Sequence, residues 1–130
     1  MTQAQQLLLV MLGGALGAAG RFWLGAWLLR QFGNGLPWGT LAVNLAGSFA
    51  AGFIAIWLEQ RGGAALAWRA FLIVGVLGAL TTYSALMLEC LLFARTDRTG
   101  AMLGYLAITL AGGLCMVWLG AELARVARSG

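Results

Sequence analysis

Gly78-Ala79-Leu80-Thr81-Thr82-Tyr83-Ser84, followed by Glu89, lies in the middle of an otherwise apolar stretch that runs from Ala70 to Phe93. A helix of about 20 residues crosses a hydrocarbon core, so the stretch is long enough to span a bilayer. Glycine and clustered hydroxyls weaken a helix at that depth. Non-helical backbone persists there only where protein buries it or where it lines a polar cavity. The segment therefore reads as a membrane helix broken in its middle, with the break marking a site.

Three further apolar segments flank it. With spans at 7–29, 39–58, 70–93 and 101–121, the 130 residues form one four-helix transmembrane domain, an all-α integral membrane protein. The composition agrees, with 62% hydrophobic residues, 9% charged residues and a mean hydropathy of +0.89. The connections are short and polar and leave no room for a soluble domain. No Lys or Arg precedes Leu7, so the positive flank of a secretory signal is missing and the first span is expected to be retained.

The net charge of +4 comes from Arg alone, and its distribution argues against nucleic acid as a partner. Four spans place Arg61, Arg69, Arg125 and Arg128 on one side. Arg30, Arg95 and Arg98 lie on the other, with Arg21 inside the first span nearer that second side. Orientation follows the Lys/Arg asymmetry of short loops, so a near tie predicts insertion both ways round and pairing with an inverted copy of the same chain. A single fixed orientation is the alternative.

Several side chains stand out against the apolar background. In the first span Gly13, Gly17, Arg21 and Gly25 recur every fourth residue, a surface that lets another helix approach closely. Arg21 within it either faces a water-filled vestibule or snorkels to the interface. In the second span Thr40, Asn44, Gly47, Ser48 and Ala51 share a face, and the Asn44 amide needs partners in hydrocarbon. Tyr105, Thr109, Gly112 and Met116 form a thin polar thread along the fourth span. Glu89 is a membrane-embedded carboxylate and so a functional candidate by default. If the third helix opens between Gly78 and Thr82, freed carbonyls suit a cation, while amides and hydroxyls on the other flank suit an anion. Cys90 and Cys115 lie in apolar spans and behave as small hydrophobes; with no His and no ligand spacing, zinc or redox chemistry is not expected.

Four pieces in order carry a resemblance. They are Gly13-Gly14-Ala15-Leu16-Gly17-Ala18 closed by Arg21, then Pro37-Trp38-Gly39-Thr40-Leu41-Ala42-Val43-Asn44 with Gly47-Ser48-Phe49, then Gly78 to Ser84 with Glu89, and then Tyr105. Together they resemble the Fluc, or CrcB, family of fluoride channels over nearly the whole chain. The resemblance implies a multi-pass protein of the bacterial inner or plasma membrane, built as an antiparallel dual-topology homodimer with two fluoride pores and a structural sodium ion on the two-fold axis. By that likeness the backbone carbonyls of Gly78 and Thr81 hold the sodium, Asn44 donates its amide to fluoride, and Arg21 sits near a vestibule. Ser84, Glu89, Tyr105 and Thr109 then belong to the polar track. Family members typically carry Thr-Thr-Phe-Ser-Thr-Phe at the break, with both rings edge-on to the anion. This chain has Thr81-Thr82-Tyr83-Ser84-Ala85-Leu86, so Tyr83 keeps an aromatic edge and adds a hydroxyl, whereas Leu86 has no quadrupole.

The leading expectation is a passive fluoride-selective channel in which aligned donors from Asn44, Tyr83, Ser84 and Thr109 replace the water of the anion. Two alternatives remain open: a heterodimer or non-conducting subunit, suggested by Leu86, and a proton-coupled carrier of the small multidrug type. The latter carries its carboxylate in the first span, where this chain has Arg21. A soluble enzyme is excluded, because no nucleophile, base and orienting residue share a water-accessible frame.

Overall fold

The computed structural model describes residues 1–129. Its helices extend to or beyond the apolar spans, because polar ends keep the backbone paired outside lipid. The first, α1 (Gln3–Phe32), begins on a reciprocal cap. Thr2 Oγ1 accepts from the Gln5 amide at 3.1 Å, and Gln5 Oε1 accepts from the Thr2 amide at 2.9 Å. It stops at Gly33, whose φ of +75° suits glycine and lets its amide reach back to the Leu29 carbonyl at 2.8 Å. Pro37 then leads into α2 (Trp38–Leu58).

The third span, Gly62–Arg95, is not one helix. A short 3-10 turn and residues 65–80, α3, form its first half. Within α3, Arg69–Leu77 is wound as π-helix, an over-wide winding that recurs near functional sites. Helical geometry ends after Leu80, where Thr81 turns extended at φ −83°, ψ 157°. It resumes as α4 (Ser84–Arg95). A tight turn through Asp97, held at φ +59°, leads to α5 (Thr99–Ser129). Beyond the lipid, α5 is tied back by an ion pair between Arg128 and Glu59 at 2.7 Å.

Two close crossings set the arrangement. Cβ atoms added at Gly13 and Gly17 would overlap the carbonyls of Phe71 and Val76, so α1 lies directly on α3. Similarly, a Cβ at Gly52 would strike the Val117 carbonyl and one at Gly120 the Phe49 carbonyl, so α2 and α5 meet backbone to backbone. Few side chains are fully enclosed, Val43 the most complete at 1% exposed. The many exposed Leu, Phe and Trp side chains, among them Phe22, Trp23 and Trp118, suit a molecule whose solvent is hydrocarbon.

Candidate functional site

The interruption between α3 and α4 follows from three side chains that redirect the backbone. In an unbroken helix Gly78, Ala79 and Thr81 would offer their carbonyls to the amides of Thr82, Tyr83 and Ala85. Instead the Thr82 amide donates to Asn44 Oδ1 at 2.8 Å, and the Ala85 amide donates to Thr82 Oγ1 at 3.2 Å. Gly78 and Thr81 thus lose their donors. Among the described residues no hydrogen bond replaces them. Ala79 is treated differently, because Arg21 Nε donates to its carbonyl at 2.9 Å.

Asn44 grips the break from both ends. Besides accepting from the Thr82 amide, its Nδ2 donates to the Thr82 carbonyl at 3.0 Å, so the amide pairs with that residue as a neighbouring strand would. This two-way bonding fixes which end of the side chain is nitrogen. One Nδ2 hydrogen remains without a protein acceptor among the described residues, so the clamp leaves a donor to spare.

One helical turn before Asn44, Thr40 belongs to a second cluster. Thr40 Oγ1 donates to Glu89 Oε2 at 2.6 Å and the Tyr105 hydroxyl donates to Glu89 Oε1 at 2.7 Å, so both carboxylate oxygens are engaged by α2 and α5. Glu89, Thr40 and Thr82 form part of the wall of a cavity of about 440 Å³ that runs from the 33–37 and 96–98 turns down to the break. Arg21 lines its depth and Arg98 its mouth, where Arg98 donates to the Gly35 carbonyl at 3.0 Å and lies 4.8 Å from the Phe93 ring centre.

The remaining sequence candidates separate. Gly78, Thr81 and Asn44 share an open face with Gly47, Ser48, Tyr83, Leu86 and Thr109, formed by α2, the break and α5. Thr109 is buried there, and its Oγ1 has no hydrogen-bond partner among the described residues. Tyr83 and Ser84 point outward, with Tyr83 75% exposed. Leu86 borders the open face, yet its side chain is only 5% exposed and packs with Cys90, Phe93 and Tyr105 in the protomer's own core. An apolar Leu gains by that burial what a polar pore residue could not. Sequence reasoning placed Thr40 on the polar face of its span without assigning it a partner, and the backbone of Thr82 went unnoticed. The signal for Thr40 was its position one turn from Asn44.

These features define a class: a multi-pass membrane protein with an interrupted third span, a cavity reaching that interruption, and, among the described residues, backbone carbonyls left without donors beside it. The chain belongs to the CrcB family, whose model, described as CrcB-like protein, Camphor Resistance (CrcB), matches residues 8–121. A protein of Xylella fastidiosa (strain 9a5c) named fluoride-specific ion channel FluC is 60% identical over 119 residues, covering 92% of this chain and 83% of the relative. A second of the same name, from Xanthomonas axonopodis pv. citri (strain 306), is 59% identical over 118 residues, covering 91% and 89%. A third, from Rhizobium meliloti (strain 1021), is 40% identical over 119 residues, covering 92% and 95%. The chain is a multi-pass protein of the bacterial cell membrane.

Proposed function

We propose that the protein is a fluoride-selective passive channel, working as an antiparallel homodimer with two pores and a structural sodium ion between the copies. The observation that carries this reading is the charge arrangement of the break. The C-terminal end of α3 presents the free carbonyls of Gly78 and Thr81, the negative pole of a helix and a hard-oxygen donor set suited to sodium. On the other flank are the spare Asn44 donor and the first amides of α4, the positive pole that favours an anion. Cation and anion are thus served by the two helix ends that meet at the break of one span.

The cavity that Arg21 and Arg98 line would gather anions at the mouth, and the hydroxyl of Thr109 is a further donor along the open face. Fluoride is small and strongly hydrated, so passage depends on donors that replace its water in fixed positions. No coupling to another gradient is needed. Hydrogen fluoride enters cells as the neutral acid and dissociates inside, so a selective leak of the anion lowers its internal level.

The names of the relatives support the substrate, and the near-equal distribution of Arg between the two sides supports dual topology. Burial of Leu86 in the protomer's own core favours a second reading, a subunit whose conducting aromatic residue comes from a different chain. Purified protein in liposomes, with fluoride and chloride efflux recorded separately, tests the first reading. Fluoride efflux without chloride efflux is expected; equal leakage of both, or none of fluoride, overturns it.

A further inference from the structure

We infer that Arg21 is a positioning residue of the cation site at the break, as well as a lining residue of the vestibule. The inference rests on the sodium reading above. Around the break the carbonyls of Gly78, Leu80 and Thr81 accept no hydrogen bond among the described residues, but that of Ala79 is bonded to Arg21 Nε at 2.9 Å. Arg21 therefore supplies the donor that the Tyr83 amide would have given in a continuous helix. It holds the last turn of α3 in helical form up to the residue where the chain must open. Without it, four consecutive carbonyls, those of Gly78, Ala79, Leu80 and Thr81, would lack donors among the described residues, and the turn would be free to rewind or to swing.

Arg21 acts from α1 on Ala79, while Asn44 acts from α2 on Thr82, three residues further along. The two side chains thus fix the break from separate helices, with the Thr81 carbonyl between their grips and the Gly78 carbonyl one residue before them. Only Nε is used in this contact. The two terminal amino groups of Arg21 make no protein hydrogen bond among the described residues, and the side chain lines the vestibule cavity. One guanidinium therefore joins the anion cavity to the cation site.

The sign of the expected effect separates positioning from plain electrostatics. A guanidinium close to a cation repels it, so as a bare charge its removal should tighten sodium binding. As a positioning residue its removal should weaken binding. Thermal unfolding of the purified protein in detergent, titrated with sodium chloride against choline chloride at constant ionic strength, reads the sodium midpoint through ligand stabilisation. Arg21→Gln should raise that midpoint on the order of tenfold, the factor that a lost charge-assisted hydrogen bond supplies. Arg21→Lys, which keeps the charge and one possible bond to Ala79, should lie between Gln and wild type. Arg98→Gln removes a vestibule charge remote from the break and should leave the midpoint unchanged.

Hydrogen exchange at the Thr81 and Thr82 amides adds a readout independent of sodium. It should quicken in Arg21→Gln even in choline chloride. If wild type shows no sodium response, the cation reading itself falls and this inference with it. If wild type responds and Arg21→Gln responds equally or at lower sodium, the positioning role alone is overturned. Should Arg21→Gln fail to fold, the Lys variant decides: a midpoint and exchange rate identical to wild type would show that the geometry of the guanidinium is not needed.

Discussion

Thr40 and Asn44 stand one turn apart on α2, and the clusters they anchor differ in completeness. At Thr40 every strong group is matched within the protomer: two hydroxyls donate, and the two oxygens of Glu89 accept. At Asn44 the chain pairs the Thr82 peptide, but among the described residues the carbonyls of Gly78 and Thr81 accept no hydrogen bond and Thr109 Oγ1, buried on the same open face, has no partner. Unmatched polar groups at bilayer depth each cost free energy of several kcal/mol in order of magnitude (~2–7) if they stay unmatched. The closed cluster is thus something one chain can build alone. The open one calls for groups from outside the protomer, which in the proposed function are an ion and an inverted copy.

The largest effect should come from denying the open cluster its second copy. Gln60→Lys with Gly63→Lys adds charge on one side of the membrane and avoids Gly62, whose φ of +57° disfavours a side chain. The biased protein should insert one way round and lose both self-association and fluoride efflux. Coexpression with a variant biased the other way should restore both. A single-orientation protein that still assembles and conducts by itself would remove the inverted copy from the account.

Next in size is Asn44→Asp, which is nearly isosteric. The carboxylate still accepts from the Thr82 amide, but it meets the Thr82 carbonyl with an oxygen and puts a fixed negative charge on the anion path. Fluoride efflux is expected to drop on the order of a hundredfold or more, with dimer retained on gel filtration. Normal efflux from a well-folded variant would take Asn44 out of the pathway.

In the closed cluster the matching change should do less. Glu89→Gln keeps one acceptor and turns the other oxygen into an N–H donor, so either Thr40 or Tyr105 must reverse its bond and accept, both bonds lose their charge, and efflux should fall about tenfold. Adding Thr40→Val removes the competing hydroxyl. The double variant should therefore conduct no worse than Glu89→Gln alone. Strictly additive losses would mean that the three residues do not act as one unit. Thr109→Val probes the opposite situation. Deleting a hydroxyl with no partner should leave the unfolding temperature unchanged or raised, while efflux falls about fivefold if that hydroxyl serves the anion.

How far the sequence reveals this comparison depends on how each group makes its bonds. Asn44 and Glu89 are conspicuous because an amide and a carboxylate in an apolar span announce themselves by type. Thr40 is not, because its bond to Glu89 joins residues 49 apart in the chain, and helical periodicity carries no record of which face meets which. The opening of the third span is suggested by its glycine and hydroxyls. The position of the opening is decided by Asn44 and Thr82 competing for backbone amides, so helix continues through Gly78 to Leu80 and gives way at Thr81. That register leaves Tyr83 75% exposed at the open face. The π winding of Arg69–Leu77 has no signature among residues so uniformly apolar.

Leu86 gives the smallest effect, and it bears on both clusters, since it borders the open face while packing against Tyr105 of the closed one. A Phe here adds volume, and where that volume goes decides the outcome. Toward Cys90 and Phe93 the core is filled, and overpacking would cost about 1–3 kcal/mol. Toward Asn44 and Thr81 the face is open, so the ring should turn that way and bring an electropositive edge to the path. An edge contact is worth about 1 kcal/mol, which corresponds to about a fivefold gain in efflux if this step limits passage. Leu86→Phe is therefore expected to raise efflux a few-fold with little change in unfolding temperature. Tyr83→Phe should change it less, because that ring is directed away from the protomer. A variant that unfolds several degrees earlier with efflux unchanged would mean the ring has entered the core. Leu86 would then be a packing residue of the closed cluster and no part of the anion path.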